Sequence, residues 1–260
     1  MCKRLTMLLT ITAGLAGFVL AQGSSFPTAA EILDRYTAVT GGKAAYDRLG
    51  NRVTESTVSI PTAEMEILMA TTLAKMNLVH IRMEAEAMGK MESGSNGDVA
   101  WDLSAGQGAR RKTGPERRQF LFMNVMDRHV YWRSLYQAVD LLGTQEVEGK
   151  TCWRVKAMPA VDIAPEELYF DQASGLLAGL ATALVTPSGP VPVRFIYEDY
   201  RDVDGIRLPF RSRIQVMEEE RILSVRSIRH NVELTGDPFR LPPEVQALVE
   251  KESDEDRKSK

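Results

Sequence analysis

From Arg52 onward, apolar and polar side chains alternate residue by residue, the period of a sheet with one buried and one wet face. Met65, Ile67, Met69, Thr71 and Leu73 fall in one phase, with Glu64 and Glu66 in the other. In the next run Val79, Ile81, Met83 and Ala85 oppose His80, Arg82, Glu84 and Glu86. Residues 191–200 alternate in the same way, Asp204-Gly205 supplies a turn, and residues 206–216 run back. Asn96-Gly97, Glu148-Gly149 and Ser174-Gly175 mark further turns, because glycine tolerates the positive φ of tight hairpins. The pattern predicts successive antiparallel hairpins.

Helical spacing interrupts this pattern at three places. Thr28 and Glu31 stand at the positions of a capping box, Ile32, Leu33, Tyr36 and Val39 recur one face apart, and Gly41-Gly42 ends the element. A short second helix follows over residues 43–49. The polar, glycine-bearing stretch 104–114 breaks the sheet, and Pro115 suits the first position of a helix. Residues 116–136, with Phe120, Met123, Val130 and Tyr131 at approximate helical spacing, predict one or two helices inserted between strands. Strands resume at Val139 and continue to Leu234. A terminal helix is expected over residues 243–251, followed by a solvated, disordered charged tail, 252–260. With no fixed-period repeat, linker or heptad, residues 22–251 are expected to form one domain of α+β class.

Composition adds an address. Lys3 and Arg4 precede an apolar run from Leu5 to Leu20, and Ala21 stands where a signal peptidase would cut. The expectation is a signal peptide, residues 1–21, and a periplasmic or secreted product. The full chain carries a formal charge of −3, and loss of Lys3 and Arg4 makes it more acidic, which argues against nucleic acid as a partner. Only Cys152 would remain of the two cysteines, so no internal disulfide can form and the apolar core must carry the fold. Cys152 itself is expected to behave as a small strand hydrophobe.

The segments Ala30-Glu-Ile-Leu-Asp-Arg-Tyr36 with Gly41-Gly42, residues 92–101, 142–149 and 168–177, and the hairpin 197–210 resemble the LolA-like superfamily of periplasmic lipoprotein carriers. The likeness is greatest to its exported, outer-membrane lipoprotein-sorting-like branch of undefined function. The resemblance implies a strongly curved antiparallel sheet, an unclosed half-barrel, with helices over its concave side and a hollow between them that takes acyl chains in the carriers.

On that expectation the candidate ligand-contacting residues are Met65, Ile67, Met69, Val79, Ile81, Met83, Trp101, Phe195 and Tyr197. Met76, Met88 and Met91 crowd the same region, and methionine adapts well to varied apolar guests. Arg110, Arg111 and Lys112 are the candidate contacts to an anionic headgroup. Catalytic, metal and cofactor residues are not expected. His80, His129 and His230 fall on separate elements, the first and last on wet strand faces and His129 on a helix surface. Glu166 and Glu167, adjacent at a strand start, point to opposite faces and cannot act on one substrate. The leading expectation is a non-enzymatic carrier of a lipid or lipidated partner, with peripheral membrane contact. The alternative is an interaction module with a filled core that pairs another envelope protein along a sheet edge.

Overall fold

The computed structural model describes residues 26–186 and 188–258. The expected signal peptide lies outside the described residues. Thirteen antiparallel strands among them form one sheet in the order β6-β5-β4-β3-β2-β1-β13-β12-β11-β10-β9-β8-β7. The first arm runs through β1 (Asn51–Ile60), β2 (Met65–Ala74), β3 (Leu78–Ala85), β4 (Gly89–Asn96), β5 (Ala100–Ser104) and β6 (Gly108–Arg111). The second arm runs from β7 (Tyr136–Val147) through β8 (Lys150–Pro159), β9 (Glu166–Asp171), β10 (Leu177–Thr186), β11 (Gly189–Val203), β12 (Ile206–Val216) and β13 (Glu219–His230). Each arm is a meander, and the pairing of β1 with β13 joins them. The sheet does not close. It is the α+β unclosed half-barrel that the resemblance implies.

Turns fall where the polar-glycine pairs stand: Glu148-Gly149 between β7 and β8, Ser174-Gly175 between β9 and β10, Asp204-Gly205 between β11 and β12. At the last, Asp204 has φ 56° and Gly205 φ 79°, the left-handed pair of a tight hairpin. Helix α1 (Ala29–Val39) opens with the full Thr28–Glu31 capping box, and α2 (Lys43–Asp47) follows. The 104–114 stretch does not end the sheet. Its hydrogen-bonding groups pair with β5 to make β6, a strand too short to show alternation. Beyond it lie α3 (Gly114–Met123), with Pro115 in its first turn, and α4 (Trp132–Leu135).

Cross-strand register decides which residues share a face. Tyr197 stands opposite Ser212, Ser212 opposite Leu223, Leu223 opposite Val58, and Val58 opposite Ile67. The phase of Tyr197 and Phe195 is therefore also the phase of Ile67, Met65 and Met69. Helices α1, α3 and α4 pack on this concave face over the second arm, where Leu33, Phe122, Trp132, Val155, Leu168 and Phe170 form the largest core cluster. Helix α2 caps a second cluster with Ile206, Leu208 and Leu73.

The last helix, α5 (Pro243–Lys258), takes the opposite side. On β6, Arg110 pairs with Glu116 of α3 while its neighbour Arg111 pairs with Glu252 of α5. Adjacent strand residues point to opposite faces, so the two helices flank β6 from either side. Helix α5 runs seven residues past its expected end, because Val245 is fully buried and Glu252 is tied to the edge strand.

Candidate functional site

The two edge strands, β6 and β7, are consecutive in sequence, so the chain between them has to cross the mouth of the open sheet. Residues 112–135 make that crossing, and α3 touches β5 on one side and β10 on the other. Phe122 seats it in the core of the second arm, and polar holds tie it further. Arg110 grips Glu116 at 2.7 and 2.6 Å, Arg117 donates to the Asp98 carbonyl, and Arg118 pairs with Asp162.

Gln119 makes a bidentate hold on β10. Its Nε2 donates to the Ala183 carbonyl at 2.7 Å, and its Oε1 accepts the Val185 N–H at 2.6 Å. β9 pairs β10 only as far as Ala181, so beyond it Ala183 and Val185 have no strand partner on that side. The amide replaces a missing strand partner and fastens α3 across the concave side as a lid.

On the same concave face the first arm presents an apolar wall. Met69, Met83 and Met91 are directly opposite one another on β2, β3 and β4, in one cross-strand row. Val79 and Ile81 extend it on β3, and Met65 and Ile67 cluster with Ile60, Val58 and Ala85 on β1–β3. Ile67 and Val79 are buried, while Met65, Met69, Ile81, Met83 and Met91 are half-buried. Met76 and Met88 do not belong to the wall: they sit at hairpin tips, 82% and 42% exposed.

Register separates the remaining expected contacts. Trp101 is opposite Gly94, which is opposite His80, the phase that faces away from the methionines. Trp101 is buried on the outer face beside Arg111, so it does not contribute to the concave wall. Phe195 and Tyr197 do face inward but stack on each other, centroids 6.3 Å apart, within the packed second arm. The basic cluster is divided too. Arg110 and Lys112 converge on Asp102 and Glu116 beneath α3, with Lys112 buried, and Arg111 is on the other face with Glu252. These three charges are neutralised and do not form a free headgroup patch.

At the end of the concave face nearest Arg52 lies a small cavity of about 210 Å³, lined by Tyr36, Arg52, Asp127, Arg128, His129 and Tyr197 among others. Two ion pairs line it. Arg52 holds Asp127 through both carboxylate oxygens, at 2.9 and 3.0 Å, and Arg128 holds Glu166 at 2.9 Å. The Tyr136 hydroxyl donates to the other Glu166 oxygen. Burial would raise the Glu166 carboxyl, but the Arg128 charge, aided by the Tyr136 hydroxyl, holds it well below the usual carboxylate range. His129 is not on a helix surface: its ring is buried between Tyr36 and Tyr136, stacked on the latter at 6.5 Å. Burial and the Arg128 charge lower its pKa, so it is neutral. His230 is likewise enclosed, accepting from Arg52 Nε at 2.9 Å and meeting Asp204 at 3.0 Å. His80, on the outer face, meets Glu92 at 2.6 Å.

Glu166 and Glu167 do point apart, one into this network and the other to Arg154 and Tyr169. The inward role of Glu166 had a sequence signal, since it shares phase with Leu168 and Phe170. A carboxylate in the buried phase of a strand demands a cation, which the folding of Arg128 over β9 supplies. Gln119 and Asp127 had no such signal.

No protein-family model and no curated relative matches the chain. Solved structures do match, and they define the class: the fold is LolA-like. An outer membrane lipoprotein-sorting protein domain from Vibrio parahaemolyticus superposes with TM-score 0.57 at 11% identity, over 82% of this chain and 97% of that one. A DUF1329 family protein from Desulfovibrio piger gives 0.56 at 12% identity, over 82% and 97%. A LolA superfamily protein from Nitrosomonas europaea gives 0.52 at 14% identity, over 83% and 99%.

Proposed function

We propose that this chain is an exported, non-catalytic envelope protein that holds an acyl chain against the methionine wall of the concave face. The observation that carries the reading is the row Met69–Met83–Met91, half-buried on the concave face of the open sheet. An acyl chain laid there would exchange water for methionine and isoleucine at ~0.8 kcal/mol per CH₂, so ~10 methylenes offer roughly 8 kcal/mol before association entropy is subtracted. Cys152 fits the non-catalytic reading: burial pushes its thiol up to about 11, the reverse of an activated nucleophile.

A second reading rests on β7, a twelve-residue edge strand whose outer hydrogen-bonding groups have no strand partner among the described residues. Leu142 is 47% exposed along it. Such an edge accepts an extended segment of another protein by adding a strand. Native mass spectrometry of the protein extracted from its own envelope separates the two. Co-purifying lipid mass, displaced by added fatty acyl probes, supports the carrier. A bare polypeptide mass that also ignores added lipid removes it and leaves the edge.

A further inference from the structure

The ion pairs around the 210 Å³ cavity leave a surplus of donors. Both oxygens of Asp127 are taken by Arg52, and Glu166 is taken by Arg128 and Tyr136. Yet Arg128 Nε and His129 Nε2 are buried with no hydrogen-bond partner among the described residues. His129 Nε2 stands 3.8 Å from Glu166, beyond hydrogen-bond reach. Tyr36 and Tyr197 add hydroxyls to the same lining, and burial raises both, the latter to about 12, so they stay protonated as donors. Buried donors left unpaired are rare enough in folded proteins to require an explanation. Both residues belong to the lining of this cavity.

The cavity is also electrically balanced. Two cations face two anions, and His129 is neutral. A site rich in donors but without net charge favours an oxygen that accepts hydrogen bonds and carries no full charge, because an anion would lose its hydration without a counter-charge. The cavity and the methionine wall belong to one surface. Arg52 and Val58 lie on the same face of β1, six residues apart, or about 20 Å at ~3.3 Å per residue.

We infer that this cavity receives the ester carbonyl at the head of an acyl compound whose tail lies along the methionine wall. The tail rests on the proposed function; the head site rests on the Tyr36 and Tyr197 hydroxyls, which belong to the cavity lining and have no hydrogen-bond partner among the described residues. Binding of methyl palmitate, palmitate and hexadecane to the purified protein, followed by isothermal calorimetry, tests it. The ester is expected to bind at least tenfold more tightly than hexadecane and more tightly than palmitate. In Tyr197→Phe and Tyr36→Phe the ester-to-alkane preference should shrink by about two- to tenfold each, the worth of one hydrogen bond. Equal affinity of the wild type for ester and alkane overturns the head site and leaves the acyl reading standing.

If neither long probe binds, the acyl reading fails. The head site is then decided by methyl acetate against the His129 ring signals in an NMR titration. A shift that weakens in Tyr197→Phe sustains it, and no shift overturns it. Competition against bound methyl palmitate by a diacylated lipopeptide or by dipalmitoylglycerol identifies the natural source of the ester. Displacement by neither overturns the cavity as a lipid receptor.

Discussion

Two single residues show how much of this fold depends on local substitutes for regular pairing. Gln119 stands in for a strand along Ala183–Val185, where β9 no longer reaches β10. Removing it leaves a carbonyl and an N–H without partners in a largely water-free place. Gln119→Ala should therefore lower the unfolding free energy by about 1–3 kcal/mol, read from urea midpoints. Proteolysis within residues 112–135 should speed up more than the global loss explains, because the lid is released on its β10 side. An unchanged cleavage rate would show that Gln119 does not hold the lid. Gly94 makes a different substitution: absence of a side chain. A Cβ there would lie 2.6 Å from the Trp101 ring and 2.9 Å from the Val79 carbonyl. Gly94→Ala must push Trp101 out of its seat, and a cost of about 1–3 kcal/mol is expected from overpacking, together with a shifted tryptophan emission.

At the scale of elements, the strands of the first arm were legible because each has one wet face. The phase of Met65, Ile67 and Met69 against Glu64 and Glu66 survives intact in β2, and the same holds for Val79, Ile81 and Met83 in β3. What periodicity cannot supply is which strands share a face, since that depends on register across turns and bulges. Trp101 was misassigned for this reason, and β6 was missed because four residues are too few to show a period. Helix α5 was cut short because a charged sequence reads as solvated unless its partner, here Arg111, is known. The face assignment makes opposite predictions for two substitutions. Met69→Asp places an unpaired carboxylate on the concave wall and should abolish uptake of a fluorescent acyl probe, with a loss of about 1–3 kcal/mol in stability. Trp101→Ala opens a cavity on the outer face and should cost about 3–5 kcal/mol, yet the fraction that stays folded should bind the probe as the wild type does. Loss of binding in both, measured at a temperature where both are folded, would refute the division of faces.

For the molecule as a whole, the interior charges tie the lid segment to both arms, since Asp127 meets Arg52 on β1 while Arg128 meets Glu166 on β9. This couples stability to pH in a defined direction. Burial and Arg128 lower the pKa of His129 from its ordinary 6.5, so the unfolded chain binds a proton more readily than the native one. Its contribution is complete above that pH and is lost as the pH falls. Arg128 and its neighbours hold Glu166 below its ordinary 4.5, so that contribution is complete above 4.5 and is lost on further acidification. Both act with the same sign, and acid should unfold the protein in two stages. Urea midpoints are expected to be flat above about pH 7, to fall as His129 takes up its unfolded-state proton, and to fall more steeply below the glutamate range. His129→Phe should flatten the first stage and leave the second. Glu166→Gln should cost about 3–5 kcal/mol at neutral pH by stranding Arg128, and should reduce the second stage without abolishing it, because Asp102, Glu116 and Glu167 are held down by their own cations. A first stage that persists in His129→Phe would mean that another group governs it, and that the ring between Tyr36 and Tyr136 is already protonated when the protein folds.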